Sequence, residues 1–142
     1  MMEKKVLYSL ELNGEQIEVA SPAGATLLET LREDLRVLSS KRGCNQGVCG
    51  ACTVLVDGKP VRACLTLTAR CEGHRVQTME GMEGDHVMNT LQRHMVESGG
   101  VQCGFCTAGV LISARDLLEA DATPSREAVK TALSGNICRC TG

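Results

Sequence analysis

Aromatic side chains are nearly missing from the 142 residues: there is no Trp, one Tyr (Tyr8) and one Phe (Phe105). That removes the residues that bury the most area per side chain and leaves Leu, Val, Ala and Met to build the core. No run of about 18 apolar residues occurs, which excludes a membrane-spanning helix. The N-terminus, Met1-Met2-Glu3-Lys4-Lys5-Val6, has neither an apolar h-region nor a twin arginine, so an unexported, cytoplasmic chain is expected. No long basic cluster occurs, Lys41-Arg42 being only a dipeptide, and the net charge is -2, which argues against nucleic acid as a partner. Gly-Lys-Ser/Thr phosphate loops and glycine elbows around a serine are also missing, so no catalytic constellation is expected in the chain itself.

What the chain has instead is cysteine, nine of them. In a reducing compartment these are better explained as metal ligands than as disulfides, and the odd number leaves at least one spectator. Cys71 is that spectator, a small side chain outside both clusters of cysteine. His74, His86 and His94 are scattered and are not expected to be ligands. Met79, Met82, Met88 and Met95 are read as packing residues.

Hydropathy patterning divides the chain. Val6, Tyr8, Leu10 and Leu12 alternate with polar residues, Asn13-Gly14 signals a two-residue turn, and Ile17 and Val19 resume the alternation, so a hairpin is expected over 4–20. Leu27, Leu28, Leu31 and Leu35 sit at helical spacing behind a Thr26/Glu29 capping box. A glycine-rich loop over 43–51 precedes a second hairpin, with 53–56 and 61–64 flanking Asp57-Gly58-Lys59-Pro60, and 74–78 closes the sheet. From about residue 80 the period becomes helical: Val87 to Val96, Ala108 to Leu118, and a helix opening near Thr123-Pro124-Ser125. The expected fold class is α+β, with domains at 1–79 and 80–142, each too small to rest on apolar burial alone and each owning four cysteines.

The first four are Cys44-x4-Cys49-x2-Cys52 and then Cys64, the plant-type spacing for a 2Fe-2S cluster with its last ligand brought from a later strand. Two irons sharing two sulfides need two thiolates each, so one loop must curl to present three of them. Gly43, Gly47 and Gly50 permit this, and they let amide N–H groups point at sulfur. The alternative is half of a structural zinc site, which usually pairs two Cys-x2-Cys hairpins. The second four are Cys103-x2-Cys106 and Cys138-x1-Cys140, whose spacing alone leaves zinc and iron-sulfur open. Both pairs fall at helix edges, where two helices can bring four thiolates to one point.

The segments Gly43-Cys44-Asn45-Gln46-Gly47-Val48-Cys49-Gly50-Ala51-Cys52-Thr53-Val54, Gln102-Cys103-Gly104-Phe105-Cys106-Thr107 and Gly135-Asn136-Ile137-Cys138-Arg139-Cys140-Thr141-Gly142 closely resemble the iron-sulfur subunit of the molybdenum hydroxylase family, which includes xanthine dehydrogenases, aldehyde oxidoreductases and aerobic carbon monoxide dehydrogenases. The resemblance implies an N-terminal ferredoxin-like β-grasp domain followed by an all-α helical-bundle domain, each with one 2Fe-2S cluster. It implies that Gln102 and Cys140 contact the molybdopterin of a large catalytic subunit and that the first cluster faces FAD on a medium subunit, in a dimer of heterotrimers. The function implied is electron transfer from the molybdopterin site through both clusters toward FAD, in a complex that oxidises a small molecule such as a heteroaromatic or an aldehyde. A free-standing two-cluster ferredoxin is the alternative.

The sequence departs from the family pattern in three ways. Ala108 stands where Pro is frequent, and Asn45, Gln46 and Val48 stand where acidic residues are frequent, which favours a higher potential at the first cluster. The sequence ends at Gly142 where relatives continue with Tyr and a helix, so an open apolar groove is expected beside the bundle.

Overall fold

A computed structural model describes residues 4–141. The chain begins with two antiparallel strands, β1 (Lys5–Leu12) and β2 (Glu15–Pro22), paired from Lys5↔Pro22 to Leu12↔Glu15. The turn between them is Asn13-Gly14, with φ of 52° and 88°, the left-handed pair that a tight two-residue hairpin needs. Tyr8, Leu10 and Val19 are buried on the inner face.

The following helix is less regular than its leucine spacing implies. One turn of α-helix, α1 (Leu27–Glu29), passes into a π-helical turn over Thr30–Asp34. The expected capping box is present, with the Glu29 amide donating to Thr26 Oγ1 and the Thr26 amide donating to the Glu29 carboxylate. The wider turn follows a buried demand: Thr30 Oγ1 lies 2.7 Å from both Ser21 Oγ and Thr68 Oγ1, and Ser21 donates to Asp34 at 2.8 Å. Three buried hydroxyls thus satisfy one another and end on a carboxylate, as buried polar groups must.

Strands β3 (Thr53–Val56), β4 (Lys59–Arg62) and β5 (Arg75–Gln77) complete a five-stranded sheet in the order β2-β1-β5-β3-β4. β5 runs parallel to β1 and antiparallel to β3. The second hairpin is tighter than the sequence suggested. Asp57-Gly58 alone turns the chain, Lys59 and Pro60 belong to β4, and Cys64 lies not on a strand but in a 3-10 turn over Ala63–Leu65. Pro60 fits because β4 is an edge strand.

Three helices follow: α2 (His86–Glu97), α3 (Thr107–Ala120) and α4 (Arg126–Leu133). Asp85 caps α2 through the Met88 amide at 2.8 Å and accepts from Arg115 of α3 at 2.8 Å, tying the two helices together. Ser125 caps α4 through the Ala128 amide.

Two apolar clusters form. One collects Tyr8, Leu10, Leu27, Leu28, Leu31, Val54 and Val76 beneath the sheet. The other joins Met82, Met88, Leu111 and Ile112 to Leu55, with Met79 and Met95 packed at its edge. Strand alternation sends Val54 to the first cluster and its neighbour Leu55 to the second, so β3 is the wall between them. That is why Thr53, Val54 and Leu55 are all buried, where a strand with one face in water would alternate.

Asp85→Ala removes both a helix cap and an ion pair and is expected to cost about 1–2 kcal/mol. The partners of Asp85, the Met88 amide first and Arg115 after burial, hold its carboxyl below the ordinary value. The sign follows from that depression: the contribution is complete above the unfolded-state pKa near ~3.9 and disappears as pH falls through the lower folded-state value. Urea midpoints of wild type and variant should differ at neutral pH and converge in acid.

Candidate metal centres

The first cysteine set is built by a loop that leaves α1 and enters β3. Cys44 Sγ accepts three backbone N–H groups, from Gln46 at 3.5 Å and from Val48 and Cys49 at 3.3 Å. The Cys49 amide foremost, then that of Gln46, brings the Cys44 thiol down to about 6. A nest of amides that stabilises one thiolate is suited to a cluster ligand. Cys52 and Cys64 are buried, and burial pushes the Cys52 thiol up to about 11. The thiols meet two by two, Cys44 with Cys49 and Cys52 with Cys64, while Cys52 also lies in the field of Cys49.

Among the described residues, no three His, Cys, Asp or Glu side chains close on a single-ion position. A 2Fe-2S cluster takes two thiolates on each of its irons, and this set supplies four cysteines. The loop is also a cradle. A Cβ on Gly43 would come within 2.8 Å of Cys49 Sγ, so the backbone passes as close to the sulfurs as it can.

The second set forms where the entry to α3 meets the segment after α4. Cys106 lies against Cys138 and in the field of Cys103. Burial first, and Cys138 next, push the Cys106 thiol up to about 11. Cys138 Sγ accepts from the Thr141 hydroxyl at 2.9 Å and the Thr141 amide at 3.3 Å, and the hydroxyl foremost brings that thiol down to about 7. The Thr107 hydroxyl, next in sequence to Cys106, is buried with no partner among the described residues, which leaves a donor free beside the set. Cys103 and Cys140 are exposed, and Gln102 Nε2 donates to the Cys140 carbonyl at 3.4 Å. Gln102 and Cys140 therefore share one open face.

The segments that carry the two sets are in direct contact. The Ile137 amide donates to the Cys49 carbonyl at 2.9 Å, so the residue before Cys138 is hydrogen-bonded to a cysteine of the first set. Beside this bond backbone packs on backbone. A Cβ on Gly109 of α3 would fall 2.1 Å from the Gly50 carbonyl, and one on Gly50 would fall 2.4 Å from the Gly135 carbonyl. Gly50 also has φ +75°, which only glycine holds cheaply. Phe105 rests against Gly43 on one edge of the seam, and Arg62 reaches Gly135 on the other.

Cys71, expected to be the spectator, is fully buried beneath the sheet, and burial raises its thiol. His74 pairs with Asp57 at 2.6 Å, away from both sets. Lys41 and Arg42 make ordinary loop contacts, the Lys41 amide with the Ala51 carbonyl and Arg42 with Glu29 at 3.9 Å. A largely apolar hollow of about 420 Å³ lies beside α2 and α3, lined by Met79, Met95, Val96, Val101 and Leu111. Arg62, Gly109, Ile137 and Thr141 were not singled out from sequence. Only Ile137 and Thr141, inside the last cysteine motif, carried a signal that could have found them.

Residues 8–97 match a family described as a 2Fe-2S iron-sulfur cluster binding domain, and residues 78–142 match one described as a 2Fe-2S binding domain. The chain is 48% identical over 138 residues to the nicotine 6-hydroxylase small subunit of Paenarthrobacter nicotinovorans, covering 97% of this chain and 83% of that one. It is 41% identical to the nicotinate dehydrogenase small FeS subunit of Eubacterium barkeri, covering 97% and 88%. Among solved structures, quinoline 2-oxidoreductase from Pseudomonas putida 86 superposes with a TM-score of 0.91 at 39% identity, over 99% of this chain and 86% of that one.

Gly50→Ala tests the seam. The positive φ alone costs about 1–2 kcal/mol with a Cβ present, and the collision with Gly135 adds to it. The variant should show a lower urea midpoint and less bound iron per chain than wild type. A wild-type midpoint and iron content would show that the backbone contact is not a constraint.

Proposed function

The chain belongs to the small 2Fe-2S subunits of the molybdenum hydroxylase family, and from that premise we propose that it conducts electrons from a molybdopterin site on a large partner subunit toward FAD on a medium one. As a subunit of an oxidoreductase it works in electron transfer, and the free-standing ferredoxin is not favoured, because the relatives are small subunits of larger complexes. The observation that carries the proposal is the hydrogen bond from Ile137 to Cys49, which joins the two cysteine sets through backbone.

A bound 2Fe-2S cluster supplies a one-electron couple. The chain's own residues do the rest. Cys44 and Cys49 would hold one iron of the first cluster and Cys52 and Cys64 the other, following the pairing of their thiols. Cys103, Cys106, Cys138 and Cys140 would hold the second cluster. The amides of Gln46, Val48 and Cys49 and the hydroxyl of Thr141 stabilise thiolate charge on Cys44 and Cys138. Such donors favour the reduced, more negative state and so raise its potential.

Gln102 and Cys140 are proposed to meet the pterin, a role supported by their shared exposed face. On this reading residues 1–79 form the ferredoxin-like β-grasp unit and residues 80–142 the helical unit. The subunits assemble as a dimer of heterotrimers in the cytoplasm. Among the described residues no helix is long and apolar enough to cross a membrane. The names of the relatives, acting on nicotine and nicotinate, support a nitrogen heterocycle as the substrate class of the complex.

About four irons and four sulfides per chain are expected on analysis. Cys44→Ser should remove one of two 2Fe-2S EPR signals and Cys138→Ser the other; retention of both signals in either variant would refute the ligand sets. Gln102→Ala should keep its iron yet slow reduction of the clusters by substrate in rapid-mixing experiments on the complex. Unchanged kinetics would remove Gln102 from the pterin face.

A further inference from the structure

Arg62 occupies an unusual position between the two cysteine sets. It ends β4 two residues before Cys64, and its side chain crosses the seam to the other half of the chain. One guanidinium nitrogen, Nη1, donates to Thr53 Oγ1 at 2.5 Å, and the other, Nη2, donates to the Gly135 carbonyl at 2.9 Å. Thr53 follows Cys52, and its hydroxyl donates to the Gly50 carbonyl at 2.6 Å. Gly135 begins the turn that presents the Ile137 amide to the Cys49 carbonyl. One planar fork therefore grips the loop of the first set and the turn of the second.

The charge is as placed as the geometry. Arg62 takes part in none of the ion pairs among the described residues. Asp116 lines the same hollow as Arg62 without pairing with it. A half-buried cation with only neutral acceptors keeps its field for whatever negative charge lies nearby, and at a half-buried seam that field is less screened than on the surface.

We propose that Arg62 is a positioning residue for electron passage between the two sites: its fork fixes the Gly135–Ile137 turn against the Gly50–Thr53 loop, and its unpaired charge favours the reduced state on both sides. The inference rests on the two-cluster reading above. The step concerned is the movement of one electron from the second site to the first, with no bond made or broken and no proton required.

Lysine and glutamine separate the two contributions. An ammonium keeps the charge but is a point donor that cannot reproduce the fork, and an amide loses the charge. The assembled complex carrying Arg62→Lys or Arg62→Gln is titrated with EPR detection to obtain both midpoint potentials. Equilibration between the sites is followed by freeze-quench EPR after flash reduction with a deazaflavin donor. Iron content and both EPR signals should be retained. Arg62→Gln should lower both midpoints and slow equilibration several-fold, whereas Arg62→Lys should hold the midpoints near wild type and still slow equilibration. Wild-type equilibration in Arg62→Lys overturns the positioning role, including where the Gln variant fails to assemble, and unchanged midpoints in an assembled Gln variant overturn the electrostatic one. Absence of two 2Fe-2S signals from the unsubstituted complex would instead defeat the two-cluster reading itself.

Discussion

Backbone contact between Gly50 and Gly109 is the constraint on which the arrangement of this chain depends. At that point the loop carrying Cys49 and Cys52 lies on the first turn of α3, just beyond Cys106, with no side chain between them. Beside it, the Ile137 amide donates to the Cys49 carbonyl, Arg62 reaches Gly135, and Gly50 itself lies against the Gly135 carbonyl, so the same loop is held at several points. Close approach also excludes water, so hydrogen bonds and charges at the seam act in a weaker dielectric than at the surface.

Each cysteine set combines thiols of opposite character. Cys44 and Cys138, supplied with donors by their own loops, are held as thiolates more readily than an ordinary cysteine, while burial holds Cys52 and Cys106 in the neutral form. Metal ligation requires thiolate from all of them. Local donors favour ligation at Cys44 and Cys138, and metal binding at Cys52 and Cys106 would displace their protons to solvent. The same physics accounts for Cys71, which has burial without donors and lies in neither set.

Much of this was legible in the sequence, for reasons that differ between elements. The first hairpin could be read because alternation and an Asn-Gly turn agree, and the Thr26/Glu29 box because capping is local chemistry. The long helices announced themselves by period. What could not be read depends on contacts between distant residues. The π-helical turn answers to Thr68, thirty-eight positions after Thr30. Cys64 leaves the strand pattern where the chain turns, the Thr66 amide closing on the Ala63 carbonyl at 3.4 Å and the Thr66 carbonyl accepting from the distant Leu27 amide at 2.7 Å. Arg62 looked like one more polar residue on an edge strand, and Gly109 like a weak point in a helix. Their roles exist only once the second half of the chain has folded onto the first.

A strand whose two sides face different interiors has no neutral position. Along β3, Val54 answers to the leucines under the sheet and Leu55 to the methionines of the helices, so a change of size at either site is felt in only one half while its neighbour reports to the other. The four residues act as a party wall: each side chain furnishes one room, but a shift of the strand's own backbone would move the masonry of both.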